Sequence, residues 1–293
     1  MLELLGITPQ ALFSQLLVGL VNGAFYAMLS LGLAVIFGML NVINFTHGAQ
    51  YMLGAFTAWL TLTHLAIPFW MALLISPLIV GLFGMALERL FLKRLYQMDH
   101  LYGFLLTFGL ALMIEGFFQW KLGSSGRPYP NPIPGGMNLG FMFLPNYRAF
   151  AVVAALVTCL ATWYVIERTR LGSYLRAATE NPTLVNAFGI NVPRLITLTY
   201  GLGVGLAALA GVLAAPIYPV APLMGHNLVF FVFAVVVIGG MGSILGSVVT
   251  GFGLGLIEGL TKVFYPQASS TVIFIIMAIV LLIKPAGLFG RTK

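Results

Sequence analysis

The side chains able to do chemistry are few in this chain, and two of them stand in costly places. Glu115 and Glu258 lie inside apolar sequence, where a carboxylate is expensive and marks a functional candidate by default. Their chemistry would be proton or cation coupling. Each also has a polar neighbour within reach. Glu258 precedes Lys262 by four residues, the favourable order for an ion pair on one helix face, and Glu115 precedes Gln119 by four and Lys121 by six. Two readings are open for both acids, a coupling site or a locally satisfied charge. The two do not form the chain of titratable groups that a transmembrane proton relay requires.

The third candidate is His47, in "NVINFTHGAQ". There Asn41, Asn44, Thr46, His47 and Gln50 interrupt apolar sequence, and such a cluster cannot face lipid. It lines an aqueous path, packs inside a bundle, or sits at a cytoplasmic mouth; Asn44, Thr46, His47 and Gln50 are the candidate translocation path. No second ligand stands at a metal-binding spacing, so no metal site is expected. His64, His100 and His226 fall near segment ends and are expected at the interface. The sequence contains no G-x-x-x-x-G-K-[ST], G-x-S-x-G or H-E-x-x-H. It thus offers no P-loop, nucleophile elbow or zinc-protease helix, and no catalytic residue is assigned.

What must position these groups is set by composition. Of 293 residues 60% are hydrophobic and only 7% charged, and the mean hydropathy is +1.02. A soluble domain carries about 25% charged residues; this chain cannot cover a water-facing surface. We expect an all-α, polytopic membrane helical bundle forming one domain over residues 1–293. Ten apolar runs are legible, at 11–27, 29–41, 48–66, 69–88, 101–120, 149–166, 195–215, 228–238, 243–260 and 271–284. The second and eighth fall short of the ~20 residues of a full span. They are half-helices or they merge with neighbours, giving 8–10 transmembrane segments including short or broken helices. The start "MLELLGITPQALF" has no basic residue ahead of its apolar run, so the first segment is expected to be retained.

The cations give the orientation. Arg89, Lys93, Arg94, Arg168, Arg170, Arg176, Arg194, Lys284, Arg291 and Lys293 collect on one side; Lys121, Arg127, Arg148 and Lys262 collect on the other. The richer side is expected to be cytoplasmic, and ten spans would put both termini there. The net charge of +7 then reflects topology anchors at anionic headgroups rather than nucleic-acid binding. The outer loop, 121–148, is rich in Pro and Gly and reads as irregular; the inner loop, 167–194, is the largest polar feature on the cytoplasmic side. Cys159, alone in an apolar run, reads as a packing residue.

Glycines recur at spacings of four: Gly19 and Gly23; Gly201 and Gly205; Gly242 and Gly246; Gly251, Gly255 and Gly259. Each set is a helix groove where another backbone approaches closely, either as a moving interface or as static packing. The stretches 44–56 and 239–252 each follow a short run and open a glycine-containing one, a loose internal echo of the kind seen at transport sites.

The inner loop contains "ENPTLVNAFGINVPR". Asn181 suits a helix N-cap, Pro182 the first helical position, and Gly189 the left-handed residue past the end. Pro193 disfavours helix at Val192. The spacing predicts a two-turn helix over 182–188 whose face carries Leu184 and Phe188. Two turns are not stable alone, so this helix packs either on a partner protein or on its own chain.

Several of these stretches together resemble one family. "GLVNGAFYAMLSLGLAVIFGMLNVINFTHGAQYMLGA" (19–55) resembles the N-terminal signature of LivH-type permease subunits of branched-chain amino acid ATP-binding-cassette (ABC) importers. "RLGSYLRAATENPTLVNAFGINVPR" (170–194) is similar to their cytoplasmic loop, and "VVVIGGMGSILGSVVTGFGLGLIEG" (235–259) to their glycine-rich C-terminal segment. The resemblance implies an ABC-importer permease architecture in a bacterial inner membrane, importing leucine, isoleucine and valine by alternating access. Its implied partners are a homologous second permease, two cytoplasmic ATPase subunits and a periplasmic binding protein. ATP and Mg would be bound on the ATPases and no cofactor by this chain. It implies that the inner helix, with Glu180, Asn181, Pro182, Thr183, Leu184, Val185, Ala187, Phe188 and Gly189, docks on an ATPase and couples its motion to the bundle. It also implies that the outer loop meets the binding protein. Related members handle urea or short amides. From the residues alone, an ion-coupled secondary transporter using Glu115, His47 and Glu258 is the other reading.

Overall fold

A computed structural model describes residues 8–40, 44–96, 98–140 and 142–290. The chain is helical nearly throughout, because apolar sequence in lipid must satisfy every backbone amide within its own segment. The helices are α1 (Pro9–Leu40), α2 (Thr46–Leu65), α3 (Phe69–Leu90), α4 (His100–Leu122), α5 (Asn146–Arg168), α6 (Arg170–Glu180), α7 (Pro182–Ala187), α8 (Val192–Ala214), α9 (His226–Gly239), α10 (Ile244–Phe264) and α11 (Val272–Ile283). Among the described residues six are long and apolar enough to cross a membrane, and α9 and α11 are shorter apolar helices. Of the expected loop 121–148, both ends are helical, in α4 and α5; between them lie one antiparallel pair, β1 (Gly136–Asn138) with β2 (Phe143–Pro145), and a bridge from Arg127 to Val220.

The expected runs 11–27 and 29–41 are one helix, α1. No proline or polar cluster falls between them, so nothing ends the hydrogen-bond ladder. This changes the topology. Gly38 lies beside Gly242 and Gly19 beside Gly255, so α1 and α10 are antiparallel. At the far end of the chain, Leu288 N–H donates to the Ile238 carbonyl at 2.8 Å and Phe289 N–H to that of Gly239 at 3.1 Å. The described N-terminal end of α1 therefore lies at the end of the bundle opposite Phe289; the termini themselves, expected on one side, lie outside the described residues.

Close backbone packing organises the bundle. A methyl group added at Gly19 would lie 2.5 Å from the Gly255 carbonyl oxygen, one at Gly255 2.3 Å from Gly23 Cα, and one at Gly259 2.5 Å from the Gln15 carbonyl. A second seam joins α3 to α8, where Gly201 faces Met85 and the Gly81 carbonyl and Gly205 faces Pro77. The pairing of Gly242 with Gly246 is not a helix groove. Gly242 has φ +85° and lies in the turn before α10, against Gly38, while Gly246 is in α10 against Gly239. The Gly-Gly-Met-Gly run turns the chain sharply, which only left-handed residues permit.

The second short run is a true half-helix. Both α2 and α9 begin inside the bundle, and their first turns meet: a methyl at Gly48 would fall 2.4 Å from the Gly225 carbonyl oxygen. The 239–252 stretch, its loose sequence echo, instead forms the turn before α10 and the first half of that helix. Cys159 is fully buried in the main hydrophobic cluster.

Candidate functional site

One end of the bundle carries the loop helices α6 and α7. Gly172 in α6 lies so close to the end of α5 that an added methyl would overlap the Ile166 carbonyl oxygen. Arg176 donates to that same carbonyl at 3.1 Å and pairs with Glu167 at 3.3 Å. α6 is thereby folded back along the bundle. Sequence reasoning missed α6, although Gly172, Leu175 and Ala178, its buried residues, recur at helical spacing.

α7 forms as its capping residues dictate. The Asn181 side chain accepts from Leu184 N–H at 2.9 Å, Pro182 opens the helix, and Gly189 has φ +83°. Glu180 instead closes α6. Val185, 6% exposed, packs inward with Ala178 and Val192; Leu184 and Phe188 are 53% and 77% exposed. Thr183, Ala187 and Gly189 are also exposed. One side of the helix is thus spent on its own chain while the other carries two large uncovered side chains. Asn186, not singled out in the sequence, accepts from Val192 N–H at 3.2 Å and ties α7 to α8. Pro193 does not delay α8, which starts at Val192 with Asn191 accepting from Arg194 N–H at 3.0 Å. A proline in a first helical turn sacrifices no hydrogen bond.

α8 in turn is pinned to α3 by Glu88, which reads from the sequence as a loop-side acid and is in fact buried. Thr197 Oγ1 donates to it at 2.7 Å and Tyr96 OH at 2.5 Å. Burial, with this hydrogen bond, pushes the Tyr96 phenol upward.

The candidate path residues come together, but as packed core. Asn44 Nδ2 donates to Gln50 Oε1 at 3.2 Å, Thr46 N–H and its hydroxyl to Asn44 Oδ1, and Gln50 Nε2 to Thr46 Oγ1 at 3.0 Å. Gln50 Nε2 also reaches Tyr200 OH at 3.4 Å. His47 Nε2 lies 2.9 Å from the Leu29 carbonyl oxygen, and Nδ1 is buried without a partner among the described residues. All four are buried, and none lines the cavity described next. The network closes the start of α2, satisfying amides that no preceding turn can reach.

The two membrane acids find different partners. Glu258 pairs with Lys262 at 2.5 Å as the spacing predicts, and also accepts from Tyr26 OH at 2.7 Å. Glu115 pairs with neither Gln119 nor Lys121; His226 Nδ1, at the first residue of α9, lies 3.0 Å away. The reason is tertiary: α9 starts within the bundle and delivers an imidazole there.

A cavity of about 350 Å³ opens in the half of the bundle away from α7. Asn22, Phe25 and Tyr26 of α1, Tyr51 of α2, Tyr218 and Met224 of the preceding loop, and Leu228 of α9 line it. Tyr218 OH donates to Asn22 Oδ1 at 2.7 Å, linking that loop to α1. Sequence reasoning passed over these residues. Asn22, an amide deep in the apolar stretch of α1, was the available signal.

Comparison with known proteins agrees with this architecture. The family described as branched-chain amino acid transport system, permease component, matches residues 15–282. The chain is 30% identical over 294 residues to the high-affinity branched-chain amino acid transport system permease protein BraD of Pseudomonas aeruginosa, covering 95% of this chain and 96% of that protein. It is 27% identical over 296 residues to the LivH permease protein of Escherichia coli K12, with 95% and 96% covered. The ribose import permease protein RbsC of the same organism is 30% identical over 138 residues, 42% of each chain. No solved structure matches. A bundle of this kind, similar end to end to such proteins, makes the chain a multi-pass membrane protein and a member of the branched-chain amino acid transport permease family.

Proposed function

We propose that this chain is the transmembrane subunit of an ABC importer that moves leucine, isoleucine and valine across a bacterial inner membrane by alternating access. The observation that carries the reading is similarity to BraD across 95% of the chain. ATP and Mg belong to two cytoplasmic ATPase subunits; a homologous second permease and a periplasmic binding protein complete the machine. The Lys- and Arg-rich face, with Arg89, Arg168, Arg170, Arg176 and Arg194 beside α6 and α7, is cytoplasmic. The 121–148 loop then faces the periplasm and meets the binding protein.

α7 is the coupling helix. Leu184 and Phe188 enter a groove on an ATPase, as short amphipathic helices do, and displacement of α7 passes through Asn186 and the Val185 cluster into α8, then through Glu88 into α3. Against ion coupling, each membrane acid is already paired, Glu115 with His226 and Glu258 with Lys262, and no titratable chain joins them among the described residues.

The test is uptake by the reconstituted complex. Radiolabelled leucine, isoleucine and valine should accumulate only with ATP, the ATPases and the binding protein present. Uptake by this chain alone under an ion gradient, or accumulation of urea in place of the amino acids, would overturn the reading.

A further inference from the structure

We infer that the cavity between α1, α2 and α9 is a transit site on this chain for the aliphatic side chain of the imported amino acid. The inference rests on the substrate class proposed above. At about 350 Å³ the cavity stands at the small end of the roughly 300–1,000 Å³ range of small-molecule sites, a size for a compact ligand. Its walls are the aromatic faces of Phe25, Tyr26, Tyr51 and Tyr218, with Met224 and Leu228. An apolar wall around a few placed polar groups is the usual composition of a ligand site.

The polar groups suit a zwitterion. Asn22 uses only its carbonyl oxygen, to accept from Tyr218, and its amide nitrogen has no partner among the described residues. The Tyr51 hydroxyl likewise has none. One can donate to a carboxylate and the other can accept from an ammonium. No charged side chain stands on the lining itself, and Glu258, which accepts from Tyr26, is already held by Lys262. A cationic or anionic side chain would find no counter-charge on this wall and would cost several times more to bury than an aliphatic one.

The position fits passage. The cavity lies where α9 starts inside the bundle, and Tyr218 of the adjoining loop closes on Asn22 from the side of Arg127, whose backbone pairs with Val220. Irregular backbone at membrane depth is tolerated where it lines a cavity.

The test uses the whole reconstituted transporter. Leu228→Trp fills the wall, and since leucine exceeds valine by one methylene the leucine-to-valine uptake ratio should fall by about ten-fold. ATP hydrolysis stimulated by the binding protein reports intact assembly. As a second measurement that does not depend on tolerating a larger residue, Met224→Cys places a thiol on the wall, with Cys159 buried. Leucine during turnover should slow its maleimide labelling, and arginine should not. An unchanged ratio in an assembled Leu228→Trp complex, or labelling indifferent to leucine but slowed by a change of lipid acyl chains, would overturn the site and mark a lipid pocket. A wild-type complex that imports none of the three amino acids would instead overturn the substrate class, and the site with it.

Discussion

The α1–α10 seam and the α7 helix are held by opposite means. Along the seam, backbone meets backbone at Gly19, Gly23, Gly255 and Gly259 and Gly251 meets Ala27, while Tyr26 bonds Glu258 and Ser30 bonds the Ser247 carbonyl across it. α7 is fixed by one cap, one side-chain link from Asn186 and one buried valine, with Leu184 and Phe188 left uncovered. Protein interiors packed at this density do not deform continuously; a helix fixed at a few points can be displaced as a unit. The bundle is thus a stiff body, and α7 is a handle joined to it through α8.

The comparison is broken most severely at the seam. Gly255→Val puts side-chain atoms where Gly23 Cα and the Gly19 carbonyl already lie; since backbone cannot swing aside, the cost should exceed the about 1–3 kcal/mol of ordinary overpacking. Loss of monodisperse protein in detergent would report it. Leu184→Ala with Phe188→Ala should do the reverse. Both side chains are exposed, so melting in detergent should shift by no more than about 0.5 kcal/mol equivalent, while ATP-driven uptake collapses; uptake at the wild-type level would dissolve the handle. Asn181→Ala removes a single cap, at about 1 kcal/mol confined to α7, and should leave partial uptake with faster amide exchange at Leu184. The mildest change sharpens the contrast within one helix. Gly253 is two residues from Gly255 and has nothing within 4 Å of an added methyl; Gly253→Ala should melt no lower than wild type, and helix propensity favours it by up to about 1 kcal/mol.

Much of this was legible in residue types. The cap at Asn181, the proline at 182 and the left-handed glycine at 189 specify α7 from a few neighbouring side chains, because capping is local chemistry. The Glu258–Lys262 pair was legible for the same reason, both groups lying on one helix face. Gly19 and Gly23 announced a seam but not its partner. Glu115 shows where the sequence stops: its nearest polar neighbours along the chain were not its partner, because His226 arrives on another helix.

By itself, then, the sequence determined that the chain lives in lipid, where α7 starts and stops, and that the Gly19/Gly23 and Gly251/Gly255/Gly259 stripes permit close approach. These follow from composition and from interactions over one or two turns. Tertiary structure alone decided that residues 9–40 form one helix whose described start lies at the end of the bundle opposite Phe289, that α2 and α9 meet within the bundle, and that Asn22, Tyr51 and Tyr218 share a cavity. Those facts depend on contacts between residues far apart in the chain, and no local periodicity encodes which helix lies beside which.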